Sequence, residues 1–599
     1  MKLKYLYTLL TLIIALYFVP AAAQTKHKVK KAVAKVVTKK PAKQKVNQRS
    51  NAKNLGEAAS KTTRDTLKKG GLVNNNGSLS QEIVVTTAYK PVLADAVKIR
   101  RNPDMEDKTP FKAPLTYLPI DKRLELNSGI QPLDAMKRPA EQDSVLTNNF
   151  VKAGLGNLKT TYGEAYFANG KDEALQVGAY LKHFAQNGNL YKQNSAKEEA
   201  GVFGKSVGAD KSISGRIDYN YRSNYFYGFD QLLPPVTLQV NKQHFSSIGA
   251  EAELVKNYKD VENDFTYALK LKGSLFSNAF QGKENNLVLS GFLNQTIKQF
   301  YAGVSGTIDL STQQDSLYNY NNSLIKVNPY LKFQSDRYKI DAGVNIVDEF
   351  GFTSKLYIFP AAKLELQVIP KFVRLFVEAK GDVNKSSLRD FSIINPFLGQ
   401  NLSIKNSVDQ LDIAAGLKGT LAPGLGFKVT IFRNSIKDMP LFVSDFNFSK
   451  GYNRYKVIYD DGRSRVSGFN GELDFKESDD LDIFGRVEFK DYKMATVAQP
   501  WNLPKFKLTA GAVIHINNKV DVSGTLLVRG SARDPFLTAA NTPTTINSFT
   551  DISGGVEYKA TNQFSVFIHV NNILNGTNKT WLFYPDYGFN IFGGVGFSF

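Results

Sequence analysis

Between Gly588 and Phe599 the side chains alternate in character with a period of two. Ile591, Gly593, Val595, Phe597 and Phe599 fall on one face, and Phe592, Gly594, Gly596 and Ser598 on the other. Successive side chains of an extended strand point to opposite sides, so one face is mostly large and apolar, the other mostly small or polar. The pattern recurs from about residue 150 onward. Leu175, Val177, Ala179 and Leu181 interleave with Gln176, Gly178, Tyr180 and Lys182. Val373, Leu375, Val377 and Ala379 alternate with Arg374, Phe376, Glu378 and Lys380. Phe564, Val566, Ile568 and Val570 oppose Ser565, Phe567, His569 and Asn571. So persistent a two-residue period predicts an all-β fold. Two architectures satisfy it: a soluble sandwich with its charged faces outward, or a membrane barrel with apolar faces in lipid and charged ones in a wet lumen.

Composition bears on that choice. A mean hydropathy of -0.27 excludes a bundle of membrane helices but not a barrel, in which only alternate residues meet lipid. The 45 glycines and 12% aromatic content suit tight turns and interfacial aromatic belts. Cysteine is absent, which rules out disulfides and thiolate metal sites. Residues 1–23 combine Lys2 and Lys4, an apolar run from Tyr5 to Val19, and Ala21-Ala22-Ala23. That is the layout of a secretory signal peptide, and it favours the barrel.

The formal charge of +21 is concentrated in one segment: Thr25 to Gly71 holds fifteen Lys/Arg against Glu57 and Asp65. Residues 24–77 are therefore expected to be a disordered, lysine-rich tether, too poor in apolar surface to offset its ordering entropy. Nucleic-acid binding is not expected of an exported chain with no recognition motif. Within 78–148, Glu82-Ile83-Val84-Val85-Thr86-Thr87-Ala88 is a β-prone island able to add to another sheet edge. The seven prolines after it, among them Pro91, Pro103, Pro110, Pro114 and Pro119, argue for an extended segment.

The stretch Glu82 to Ala88 resembles the TonB box of TonB-dependent outer-membrane receptors. Asn571-Asn572-Ile573-Leu574-Asn575, Tyr584-Pro585 and the final alternating strand resemble that family's closing strands, and Asn395-Pro396-Phe397-Leu398 is similar to a mid-barrel motif. The resemblance implies a large transmembrane antiparallel β-barrel at 149–599, with about 20–22 strands, in a bacterial outer membrane. It also implies a TonB-type energy transducer as partner and transport or binding of a small ligand. The family's plug is a globular domain of well over one hundred residues, whereas 78–148 offers room only for a reduced occluder. Val595, Phe597 and Phe599 resemble the signal read by the barrel-assembly machinery. The alternative is a non-transporting structural or assembly barrel that partners other envelope proteins.

No catalytic residue, cofactor site or metal site is expected. Phosphate-cradling loops, dinucleotide fingerprints and His-Glu-x-x-His are absent from the sequence. His27, His183, His244, His515 and His569 are scattered, and the last two fall on lumen-facing positions of well-separated strands. Asp460-Asp461-Gly462 and Asp479-Asp480 could hold calcium, but turn chemistry is the expected reason for them. Glu477 to Asp480 reads as a periplasmic turn; Asp390 to Asp409 and Arg533 to Asn547 read as extracellular loops.

Overall fold

The computed structural model describes residues 149–169, 174–229, 240–257, 264–351, 353–478 and 480–599. The expected signal peptide, the tether and the 78–148 segment with Glu82–Ala88 lie outside the described residues. Twenty-two strands form one antiparallel sheet. The sheet closes because the first strand, Phe150–Gly156, pairs with the last, Asn590–Ser598, setting Val151 against Phe597 and Ala153 against Val595. The strand number is thus the upper value expected from the sequence. Among the described residues no helix is long and apolar enough to cross a membrane.

The two faces of the wall are inverted relative to a soluble protein. On the strand Lys355–Ile369, Ile358 is 67% exposed, whereas Lys363 and Glu365 are 9% and 7% exposed. Leu181, Val202, Ile213, Ile217, Leu293 and Val566 likewise stand exposed on the outer surface. A continuous exposed apolar band around a closed sheet is stable only in lipid. The alternation alone therefore separates the two architectures once closure is known. At the end of the cylinder that carries Phe599, aromatic rings cluster: Phe300 with Phe333 at 4.8 Å, Phe333 with Tyr338 at 5.4 Å and Phe564 with Phe597 at 4.9 Å. Such a girdle marks a membrane–water boundary.

The wall predicts its own mutational response. Leu289 points outward near the middle of Lys283–Ile297, and its neighbour Ser290 points into the lumen. Leu289→Arg is expected to lower folding stability in lipid vesicles by about 2–4 kcal/mol. Ser290→Arg, on the wet face, is expected to change it by less than about 1 kcal/mol. Urea titration of the reconstituted barrel reads both.

Connections differ sharply between the two ends. At the Phe599 end they are short, such as 298–299, 335–337, 423–424 and 518–519. At the opposite end lie 385–406, 494–505, 530–548 and 572–589. Outer-membrane barrels carry short periplasmic turns and long extracellular loops, so the long-loop end is the outer one. The loops expected at 390–409 and 533–547 lie at the long-loop end, and the turn expected at Glu477 to Asp480 includes a residue outside the described ones. Two strands, Leu425–Asn447 and Tyr452–Ser478, outrun their neighbours, because pairing with Leu481–Lys493 stops at Arg465. Their free ends rise past the rim as a two-stranded hairpin.

Candidate functional site

The outer mouth is where distant parts of the chain converge. Loop 385–406 begins with Ser387, whose Oγ accepts from the Asp390 N–H at 3.0 Å and so caps the short helix Leu388–Ile394. The Glu284 carboxylate accepts from the Leu388 N–H at 2.7 Å, pinning the helix to the barrel wall. Leu388 and Phe391 turn into the mouth. The chain then adds an edge to the projecting hairpin: Tyr455 N–H donates to the Phe397 carbonyl at 2.9 Å, and Gly399 N–H to the Tyr455 carbonyl at 2.8 Å.

Loop 572–589 meets it from the other side. Asn572, at a φ of 48°, donates from Nδ2 to the carbonyls of Gly576 and Tyr587 at 2.9 and 3.0 Å and ties the loop's base together. This presents Trp581 and Tyr584 inward, both almost fully buried. Phe397 stacks on Tyr584 with ring centroids 3.7 Å apart, and Tyr455 meets Trp581 at 5.1 Å. Tyr584 OH donates to the Asn453 carbonyl at 2.5 Å, and Tyr455 OH to the Leu582 carbonyl at 3.3 Å. Asn453 Nδ2 donates to the carbonyls of Phe226 and Gly228 at 2.6 and 3.0 Å. Tyr227 OH and Gln193 Nε2 both reach the Pro585 carbonyl, at 2.9 and 2.8 Å. Gly228 is required here: a Cβ on it would lie 2.5 Å from the Tyr584 ring. Burial pushes the hydroxyls of Tyr227, Tyr455 and Tyr584 well above the ordinary tyrosine range, so each remains a neutral donor. The Arg454 guanidinium lies 4.3 Å from the Phe280 ring, 5.0 Å from Phe226 and 5.1 Å from Tyr452, a cation–π clamp across three chain segments. The outer mouth carries an aromatic cluster in which the hydroxyls of Tyr227, Tyr455 and Tyr584 are paired, while among the described residues the buried Trp581 Nε1 has no partner.

A second lock holds loop 494–505. The Asp460 carboxylate accepts from the N–H groups of Ala495, Thr496 and Val497 at 2.6, 2.7 and 2.9 Å, and from the hydroxyls of Thr496 and Ser464. Asp461 points away and pairs with Lys405 at 2.8 Å. Asp460-Asp461-Gly462 therefore lies inside the projecting hairpin strand and not in a turn, which corrects the reading of it as turn chemistry. The two carboxylates diverge because successive strand residues face opposite sides. Among the described residues no cluster of three acidic or histidine side chains is placed to hold a metal ion.

Burial opposes ionisation of Asp460, but the hydrogen bonds from Ala495, Ser464 and Thr496 outweigh it and hold the carboxyl down at about 2. A lowered folded-state value stabilises the loop above the ordinary aspartate value of 3.8, and that stability is lost as pH falls toward 2. Asp460→Asn presents N–H groups where donors already stand, and is expected to loosen loop 494–505 by about 1–3 kcal/mol. Amide exchange of residues 495–497 measures the loss.

Beneath the roof the lumen wall carries ion pairs within and across strands. Glu365 joins Lys363 of its own strand at 3.1 Å and also Lys418, two strands along the wall; all three are buried. Lys152 meets Glu557 at 2.8 Å, Arg486 meets Glu472 at 3.1 Å, and His515 Nδ1 contacts Asp521. His515 and His569 stand on strands separated by two others, so they form no joint site. The opposite wall is wetter. Glu251 is held by Lys270 at 2.6 Å, Lys272 at 3.4 Å and Arg216 at 3.7 Å, with the Arg216 and Lys272 side chains 61% and 50% exposed. A charged, partly open lumen of this kind can coordinate a polar or ionic solute from several strands at once.

Of the residues picked from the sequence, Val595, Phe597 and Phe599 stand on the outer face of the closing strand, and the Phe599 N–H donates to the Asn149 carbonyl at 2.9 Å. Glu82–Ala88 lie outside the described residues. The structure brings together two motifs far apart in the chain, Asn395–Leu398 and Tyr584–Pro585, in the roof. Sequence reasoning missed their contact, and missed Tyr227, Asn453 and Tyr455. The available signal was the aromatic density of Tyr225–Phe229 and Trp581–Tyr587.

No protein-family model matches the chain, and no curated protein matches it by sequence. Solved structures do match it. The ferric-catecholate import receptor Fiu from Escherichia coli K12 superposes with a TM-score of 0.57 at 10% identity, over 76% of this chain and 82% of that one. The FrpB iron transporter from Neisseria meningitidis gives 0.57 at 8% identity, over 76% and 81%. The ferripyoverdine receptor of the Pseudomonas aeruginosa outer membrane gives 0.54 at 13% identity, over 76% and 72%. Identities this low establish the fold alone: a closed antiparallel barrel of 22 strands.

Proposed function

We propose that the protein is an outer-membrane receptor that takes up a small ligand with energy supplied through a TonB-type transducer. The observation that carries this reading is a charged, partly wet lumen beneath a roofed outer mouth, in a barrel shaped like import receptors. A barrel of 22 strands is too wide for its side chains to fill. Residues 89–148 act as a reduced occluder, and Glu82–Ala88 pair with an edge strand of the transducer. The protein is not an enzyme. Ferric chelates are the first ligands to test, because the matched receptors are import proteins for iron. Deleting 82–88 from the full-length chain is expected to abolish energy-dependent uptake while leaving the barrel folded and heat-modifiable on gels.

The interlocked roof favours a second reading, a structural or assembly barrel partnering other envelope proteins, since Phe397 stacks on Tyr584 and Tyr584 bonds the Asn453 carbonyl across the mouth. Unchanged uptake in the deletion strain, together with altered envelope permeability when the whole protein is removed, establishes that alternative and excludes the first.

A further inference from the structure

Above the apolar band, one sector of the outer wall carries a basic and aromatic patch that neither the lumen nor the roof uses. On the strand Lys211–Tyr225 the outward positions run from Ile213 and Ile217 through Tyr219 to Tyr221 and Tyr225. The adjoining strand Lys242–Lys256 sets Lys242 opposite Tyr225, with His244 and then Ile248 further down its outer face. At about 2.5 Å of height per tilted residue, Tyr221, Tyr225, Lys242 and His244 stand roughly 25–35 Å above the inner edge. That is headgroup level in the outer leaflet.

The patch is preorganised. The Lys192 ammonium lies 5.5 Å from the Tyr225 ring and 5.8 Å from Tyr191, and the Lys242 ammonium lies 6.0 Å from Tyr225. His244 stacks on Tyr221 with centroids 6.1 Å apart. Lys192 is held at a φ of 60°, so its direction is set by the turn, and Tyr191 is 73% exposed. Among the described residues no carboxylate lies within salt-bridge distance of Lys192 or Lys242. Glu198, the acid on this face, is next to His183 at 3.8 Å. Two ammonium groups with no carboxylate at salt-bridge distance among the described residues, held over tyrosine rings at a lipid boundary, match one chemistry: a phosphorylated lipid headgroup, with acyl chains lying along Ile213, Ile217 and Ile248.

We propose that this sector is a specific docking surface for a phosphorylated glycolipid of the outer leaflet, gripped between Lys192 and Lys242. The site lies outside the lumen and is independent of the uptake reading.

Native mass spectrometry of the full-length protein in detergent, titrated with diphosphorylated lipid A, tests it. The intact protein is expected to retain the lipid, and Lys192→Gln/Lys242→Gln to weaken retention roughly tenfold or more, with high salt weakening the intact protein's retention as well. Lys456→Gln/Lys505→Gln, which removes exposed lysines elsewhere at the outer end, is the control and is expected to leave retention unchanged. Equal retention by the intact protein and the Lys192/Lys242 variant overturns the proposal. Equal retention of fully dephosphorylated lipid A does so too, because the site would then read acyl chains only.

Discussion

Tyr584→Ala is expected to unseal the outer mouth. The ring fills the centre of the roof, stacks at 3.7 Å on Phe397 and meets Tyr227 at 5.2 Å, and its hydroxyl holds the Asn453 carbonyl. Truncating a buried aromatic of this size costs about 3–5 kcal/mol, and here the stack and the hydrogen bond go with it. Because the chain has no cysteine, a single reporter can be placed cleanly. Ser392→Cys sits buried on the roof helix. Its labelling by a membrane-impermeant maleimide should run on the order of 100-fold faster in the Tyr584→Ala background, since protection falls with the free energy of opening. Tyr584→Phe keeps the ring and removes only the hydroxyl, so it should recover most of the protection. Equal labelling rates in all backgrounds would mean that the mouth stands open without help.

Glu365→Gln is expected to destabilise the barrel wall by about 3–5 kcal/mol, the range found when one member of a buried ion pair is removed. Glu365 stands between Lys363 and Lys418, and a neutral amide removes the carboxylate that both buried ammonium groups contact, leaving Lys363 only its weaker interactions with Glu378 and Asp341. The double variant Glu365→Gln/Lys418→Met removes one of those charges and should restore a large part of the loss. Urea midpoints in vesicles, followed by the gel mobility shift on heating, resolve the two variants. A wall that tolerated Glu365→Gln at no cost would have bulk-like water around these groups.

Much of the fold was legible because a strand writes its environment into alternate residues. Closing strand 590–598 could be read directly: Ile591, Val595 and Phe597 face out, Phe592 faces in, and one pattern sufficed to orient them all. Connection length did the same for the two ends. The roof was not legible. Phe397 and Tyr584 are separated by nearly two hundred residues, and nothing periodic links them. Asp460 illustrates the failure: Asp-Asp-Gly reads locally as a turn, yet a distant loop supplies the three N–H groups that occupy its carboxylate. The helix Leu388–Ile394 was hidden for a related reason, being too short to show a period of its own and held by Glu284 from another strand.

By itself, then, the sequence determined an all-β chain with one greasy and one wet face per strand, because side-chain alternation is a local property of extended backbone. Tertiary structure alone decided that the first strand closes on the last, which acids meet which lysines across the wall, and that loops from distant parts of the chain interlock over the mouth. Those outcomes depend on strand register and on contacts between residues far apart in the chain, which local pattern does not encode.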